Sequence, residues 1–194
     1  MFRTSGTTQA IYPDIATYNN FVQGFADAEN LGLGWTAIAS TSAVNARDNT
    51  ATATSDGVGV PIFDMAGTLI AVDYIDLWDG SILNNLRICE DGTQCLPSHN
   101  GIGPTAIVWT GTNADGTTST NRPFGPNLEL QTTVGAFFGT GGDWINDLRQ
   151  RNSSQDGQLY ALSPLFTAPV PIPAAGWLFM TALLGLVGKK RLSV

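Results

Sequence analysis

Charge is scarce in this chain. Only 13% of its 194 residues are Asp, Glu, Lys or Arg, about half the usual ~25%. Lysine is nearly missing, since the two present, Lys189 and Lys190, stand beside Arg191 at the C-terminal end. Residues 1–188 therefore hold six arginines against sixteen acids, a balance of −10. So acidic a domain lacks the electrostatic footprint of a nucleic-acid or heparin binder, and anionic lipid should repel it. Histidine occurs once, at His99, and cysteine twice, at Cys89 and Cys95. That shortage of nitrogen and sulfur ligands argues against zinc. No Gly-x-Ser-x-Gly elbow exists and His99 has no evident acidic partner, so the chain is read as a non-enzyme. The first ten residues, MFRTSGTTQA, lack the apolar run of a secretory signal peptide. Export would therefore require a leader upstream of Met1.

Thr, Ser, Asn and 22 glycines fill the place of the missing charge, while 43% hydrophobic residues suffice for a sizeable core. Cys89 and Cys95 lie six apart with Gly92 between them. In an oxidising compartment they would close a short disulfide loop, and in a reducing one they would be two free thiols. The chain divides into an N-terminal segment (1–13), a domain (14–166) and a C-terminal tail (167–194). Within the domain, Asp14 can cap a helix running to Asn30, with Ile15, Tyr18, Phe21, Val22 and Phe25 at helical spacing. Residues 34–39, 58–65, 68–72 and 106–110 read as strands between Gly-rich turns. Residues 144–151 read as a short helix and 158–165 as a closing strand.

The tail has three parts. Val170-Pro171-Ile172-Pro173 is extended, because its prolines fix φ and bias their neighbours away from helix. Residues 174–188 form an uncharged apolar run, followed by Lys189-Lys190-Arg191. As a helix the run would span about 22 Å at ~1.5 Å per residue, short of the ~30 Å hydrocarbon core. Snorkelling lysines and local thinning could close that gap. The basic end would stay cytoplasmic and the domain would lie outside. A buried core helix is the other reading of a run this short, but it lacks any polar stripe.

The order VPxPAAxWLxxxxLLGLxG, ending in basic residues, resembles the PEP-CTERM sorting signal in its VPxPA form. The resemblance is carried by Val170, Pro171, Ile172, Pro173, Ala174, Ala175, Trp177, Leu178, residues 183–186, Gly188, Lys189, Lys190 and Arg191. It implies cleavage near the proline motif by an exosortase, a membrane protease, after transient residence in the inner membrane. Delivery to the cell surface or into exopolysaccharide would follow. Ile172 stands where the Pro-Glu-Pro form has an acid.

A second resemblance covers about residues 14–120. It rests on three blocks: Ala26-Asp27-Ala28 through Trp35–Thr41 to Ala46-Arg47-Asp48; Val60-Pro61-Ile62 with 76–81 and Asp91-Gly92; and 108–116. In this order they resemble the endostatin-like branch of the C-type-lectin-like fold. The implied class is α+β, with an N-terminal helix beside a twisted antiparallel sheet, and the tail adding a C-terminal hydrophobic helix. The heparin-binding arginine cluster, zinc histidines and calcium-holding triplets of such proteins have no counterparts here; Trp144-Ile145-Asn146-Asp147 only approaches one triplet. No cofactor is implied. The weak candidates for calcium are Asp73, Asp76 and Asp79, three apart, and Asp115 in an Asx-type turn. The expected function is that of a surface or matrix protein, structural or adhesive within exopolysaccharide. The alternative is a calcium-assisted carbohydrate-binding module. Of the tryptophans, Trp35, Trp78 and Trp109 are assigned to the core, whereas Trp144 is left between a buried place, which is favoured, and an exposed platform that could stack on a sugar.

Overall fold

The longest helix forms where the apolar spacing predicts it. In the computed structural model, which describes residues 1–95, 107–126 and 130–166, helix α1 spans Ile15–Ala28. Asp14 caps it through Oδ1, which accepts from Ala16 N at 3.0 Å. Tyr18, Val22 and Ala26, one turn apart, form its buried stripe. The helix stops at Asn30, whose φ of 56° turns the chain left-handed. Leu31 N then reaches back to Ala26 O at 2.9 Å and Asn30 N to Asp27 O at 3.1 Å, which satisfies the last carbonyls.

Eight short strands, two one-turn α-helices and two 3-10 turns (Thr54–Asp56 and Gly142–Trp144) complete the regular structure of the described residues; the strands and α-helices are β1 (Phe2–Arg3), β2 (Thr36–Ala37), α2 (Ala46–Asn49), β3 (Ile62–Phe63), β4 (Leu69–Ala71), α3 (Tyr74–Leu77), β5 (Ile107–Trp109), β6 (Gln131–Ala136), β7 (Gln150–Asn152) and β8 (Tyr160–Leu162). The class is mixed helix and sheet, with antiparallel pairings throughout the ladders. One sheet runs β1-β8-β2, another β5-β6-β7, and β3-β4 is a ribbon. Gln158 links the first two, since its carbonyl accepts Trp109 N at 2.9 Å just before β8 begins. The chain divides into two compact units, Met1–Pro164 and Leu165–Val194, and every element named here belongs to the first. Residues 1–13 are part of that unit: Phe2 pairs with Ala161 and Arg3 with Tyr160.

Alternation along the strands sorts the core onto two faces. Phe2, Ala37, Trp109, Leu159 and Ala161 pack with the apolar stripe of α1. Met1, Ile38, Val108, Tyr160 and Leu162 face the other way, onto Ile70, Leu77, Trp78, Leu86 and Trp144 from loops and short elements. Helix therefore covers one side of the sheet and irregular chain the other.

An amide pair ties α1 to this frame. Asn19 and Asn49 exchange side-chain bonds of 2.9 Å in both directions. Asn19 Oδ1 also accepts Ala37 N at 2.9 Å, and Asn49 donates to Ala37 O at 2.8 Å. Two side chains thus complete the edge of β2 that faces α1 and α2.

The strands expected at 34–39, 58–65, 68–72, 106–110 and 158–165 each contain an observed strand, shorter than expected. The helix expected over 144–151 does not form. A 3-10 turn covers Gly142–Trp144, and the chain then extends into β7. The reason is local: Leu148 has φ 55°, and Asp147 N is taken by Val134 O at 2.8 Å rather than by a helical carbonyl. The apolar run 174–188, expected as a helix, lies outside the described residues. Among the described residues no helix is long and apolar enough to cross a membrane.

Candidate functional site

Cys89 and Cys95 are joined in a disulfide, with Cα atoms 5.0 Å apart. The intervening turn is built for closure. Gly92 takes φ 77°, a left-handed conformation that glycine adopts without strain, and its N–H returns to Cys89 O at 3.1 Å. Asp91 Oδ1 accepts Thr93 N at 2.8 Å and Thr93 Oγ1 at 2.7 Å, and these bonds hold its carboxyl below the ordinary carboxylate value. The loop docks on β1. Arg3 N donates to Ile88 O at 2.9 Å, and Arg3 Nη2 to Cys95 O at 2.8 Å.

Each candidate calcium carboxylate is engaged by its own neighbourhood. Asp73 N-caps α3 by accepting Asp76 N at 2.8 Å. Asp76 Oδ2 accepts Val72 N at 2.7 Å, and Asp79 Oδ1 accepts Ser81 N at 3.0 Å and its hydroxyl at 2.9 Å. Asp115 holds an Asx turn, accepting Thr117 N at 3.0 Å and Thr117 Oγ1 at 2.5 Å. Burial would raise the Asp115 carboxyl, but the Thr117 bonds and the nearby Arg47 charge outweigh it and hold it low. Among the described residues no three His, Cys, Asp or Glu side chains are placed to share a metal ion.

Trp35, Trp78, Trp109 and Trp144 are all buried, Trp144 completely. Trp78 Nε1 donates to Thr52 Oγ1 at 2.9 Å, and its ring lies 6.0 Å from that of Trp144. Trp144 is therefore core and offers no face to a sugar. Asp147, the acid of the near-triplet, pairs with Arg149 at 2.9 Å. Burial raises its carboxyl against that partner's pull. The proposed sorting residues Val170, Pro171, Ile172, Pro173, Ala174, Lys189, Lys190 and Arg191 lie outside the described residues, as do His99 and Trp177.

The feature that sequence reasoning missed is Arg3, fully buried on the irregular face of the sheet. Its guanidinium carbon sits 3.6 Å from the Phe137 ring centroid, a cation–π contact in a dry setting. Burial first, then the like charge of Arg87, lowers its pKa to about 10, against the opposing influence of Tyr160. The available signal was its place between Phe2 and a closing partner strand, in a chain with few charges to spare.

No protein-family model matches this chain, and no curated protein matches it significantly.

Proposed function

We propose that this chain is an exported bacterial envelope protein, cut near Val170–Ala174 by an exosortase and delivered to the cell surface or into exopolysaccharide. Its tail is the observation that carries this reading: a proline hinge, an uncharged run of 15 residues and a basic stop stand in that order at 170–191. The Cys89–Cys95 bond supports it, because such bonds persist in oxidising compartments outside the cytosol. The balance of −10 over residues 1–188 supports a surface destination, since little would hold the released domain on anionic lipid.

The domain is assigned here to the C-type-lectin-like fold, endostatin-like branch. Three features support that assignment: adjacent strands from the two ends of the unit, one long helix against one sheet face, and a loop-rich second face filled by tryptophans. The role is structural or adhesive and needs no reaction of the domain itself. Expression of the full gene in hosts with and without an exosortase tests the sorting step by intact mass. Loss of the apolar tail only where the protease is present is expected. An identical mass with tail retained in both hosts would overturn the reading.

A further inference from the structure

The loop-rich face of the sheet gathers hydrogen-bond donors that have no acceptors. Arg3 and Tyr160 are opposed in the β1–β8 register, so their side chains leave the sheet on one face and meet. Both are fully buried. Of the Arg3 nitrogens, Nη2 is satisfied by Cys95 O at 2.8 Å, while Nε and Nη1 are buried without partners. Tyr160 Oη, Arg87 Nε and Trp144 Nε1 are buried without partners as well. The Trp144 ring lies 5.8 Å from that of Tyr160. Arg87 adds a second positive charge from the disulfide side, where its carbonyl accepts Cys95 N at 2.8 Å.

Among the described residues no ion pair answers these charges. The ion pairs among the described residues are Arg47–Asp48 and Arg149–Asp147, which leave Arg3 and Arg87 out. Buried Glu90, close in sequence, accepts the backbone and hydroxyl of Ser5 instead. Asp143 acts electrostatically on Tyr160 without bonding to it or to Arg3. A buried cation without a counter-charge is among the costliest arrangements in a core, and charge-assisted bonds to an anion are the strongest remedy. The remaining donors are three N–H types and a phenol hydroxyl, which suits an acceptor-only guest and discourages a cation.

We propose that Arg3, Arg87 and Tyr160 form a binding site for one small oxyanion, such as sulfate, phosphate or a short carboxylate, held as a structural counter-ion. The site joins β1, β8 and the disulfide loop, so the anion would fasten the two ends of the domain to that loop. The inference is independent of the sorting signal.

The test uses the full 194-residue chain. Thermal unfolding is followed while sulfate, phosphate, acetate or chloride is titrated at constant ionic strength. An oxyanion should raise Tm by roughly 2–4 °C over chloride and saturate in the millimolar range. Sulfate stabilises proteins generally by exclusion, so the comparison that matters is with Arg3→Met. That variant should lose the saturable increment, and Arg87→Gln should raise its midpoint about tenfold. If Arg3→Met does not fold, Tyr160→Phe and Arg87→Gln provide the same comparison. Crystals grown in selenate should show an anomalous peak within hydrogen-bond distance of Arg3 Nε or Nη1. Equal increments in wild type and variants, an equal effect of chloride, or no anomalous peak at Arg3 would overturn the proposal.

Discussion

At the scale of single residues, short polar side chains substitute for missing backbone partners. Asn19 and Asn49 together satisfy both Ala37 backbone groups and each other. Asn49→Ala leaves the Ala37 carbonyl without its donor and the Asn19 amide nitrogen without its acceptor in a half-buried seam, and should cost about 1–3 kcal/mol in urea unfolding. The same reasoning applies to the aspartates that seemed candidates for calcium. Asp73→Ala removes the cap of α3 and should cost about 1 kcal/mol, equally in calcium and in chelator; a loss seen only with calcium would assign Asp73 to the metal. Buried tyrosines govern the alkaline limit. Burial lifts both Tyr18 and Tyr160 well above the ordinary value of 10. The unfolded chain releases these protons from about pH 10 while the folded chain retains them, so their contribution is complete below pH 10 and falls above it. Arg3 has the opposite sign, because its lowered pKa of about 10 makes the folded chain release a proton sooner than the unfolded one. Two tyrosines against one arginine leave a net loss above pH 10. Tyrosinate absorbance from Tyr18 and Tyr160 should therefore appear together with unfolding, and a smooth titration ahead of it would contradict their burial.

At the scale of elements, legibility in the sequence tracked how local the cause was. Helix α1 was readable because its cap, stripe and stop all lie within residues 14–31. β6, the longest strand, escaped notice because QTTVGA lacks clean alternation: five of its six residues are buried, with Thr132 and Thr133 inside among the apolar ones. Such a strand is central and enclosed on both sides, a circumstance set by partners far away in the chain. β1 was missed for the same reason, since two residues become a strand only when β8 arrives. The cysteine pair was legible from spacing, whereas its docking on Arg3 was not. Gly135 in β6 shows what enclosure requires. A Cβ there would lie 2.1 Å from Trp144 O, a backbone atom that cannot swing aside. Gly135→Ala should therefore cost several kcal/mol, of the order seen for overpacked cores. Reducing Cys89–Cys95 opens a loop of seven residues and should cost about 2 kcal/mol by chain entropy. Hydrogen exchange should place that loss at Arg3 N and Cys95 N, which bond to Ile88 O and Arg87 O. Uniform acceleration over α1 and β6 instead would mean that the disulfide loop does not selectively hold β1.

At the scale of the whole molecule, charge is segregated along the chain. Residues 1–188 carry −10 and residues 189–194 carry +3, so the net of −7 hides a strongly acidic body and a small basic end. The basic triplet follows an apolar run, the order expected of a segment that enters a membrane and stops with its cations at an anionic leaflet. The acidic body opposes that association at any distance within a Debye length, about 8 Å at physiological salt. Binding by the uncut chain should therefore rest on apolar insertion, with charge a lesser contribution of mixed sign. In flotation with vesicles containing anionic lipid, the full chain should float, and raising salt from 0.02 to 0.5 M should not release it. Replacing Lys189, Lys190 and Arg191 with Gln should weaken flotation by the ~1 kcal/mol per cation expected near such a surface. Chain released by an exosortase should stay in the aqueous fraction at every salt concentration, because it keeps the acids and loses both the run and the cations. Flotation of the released chain would place the membrane affinity in the domain, and the tail would then no longer explain where the protein resides.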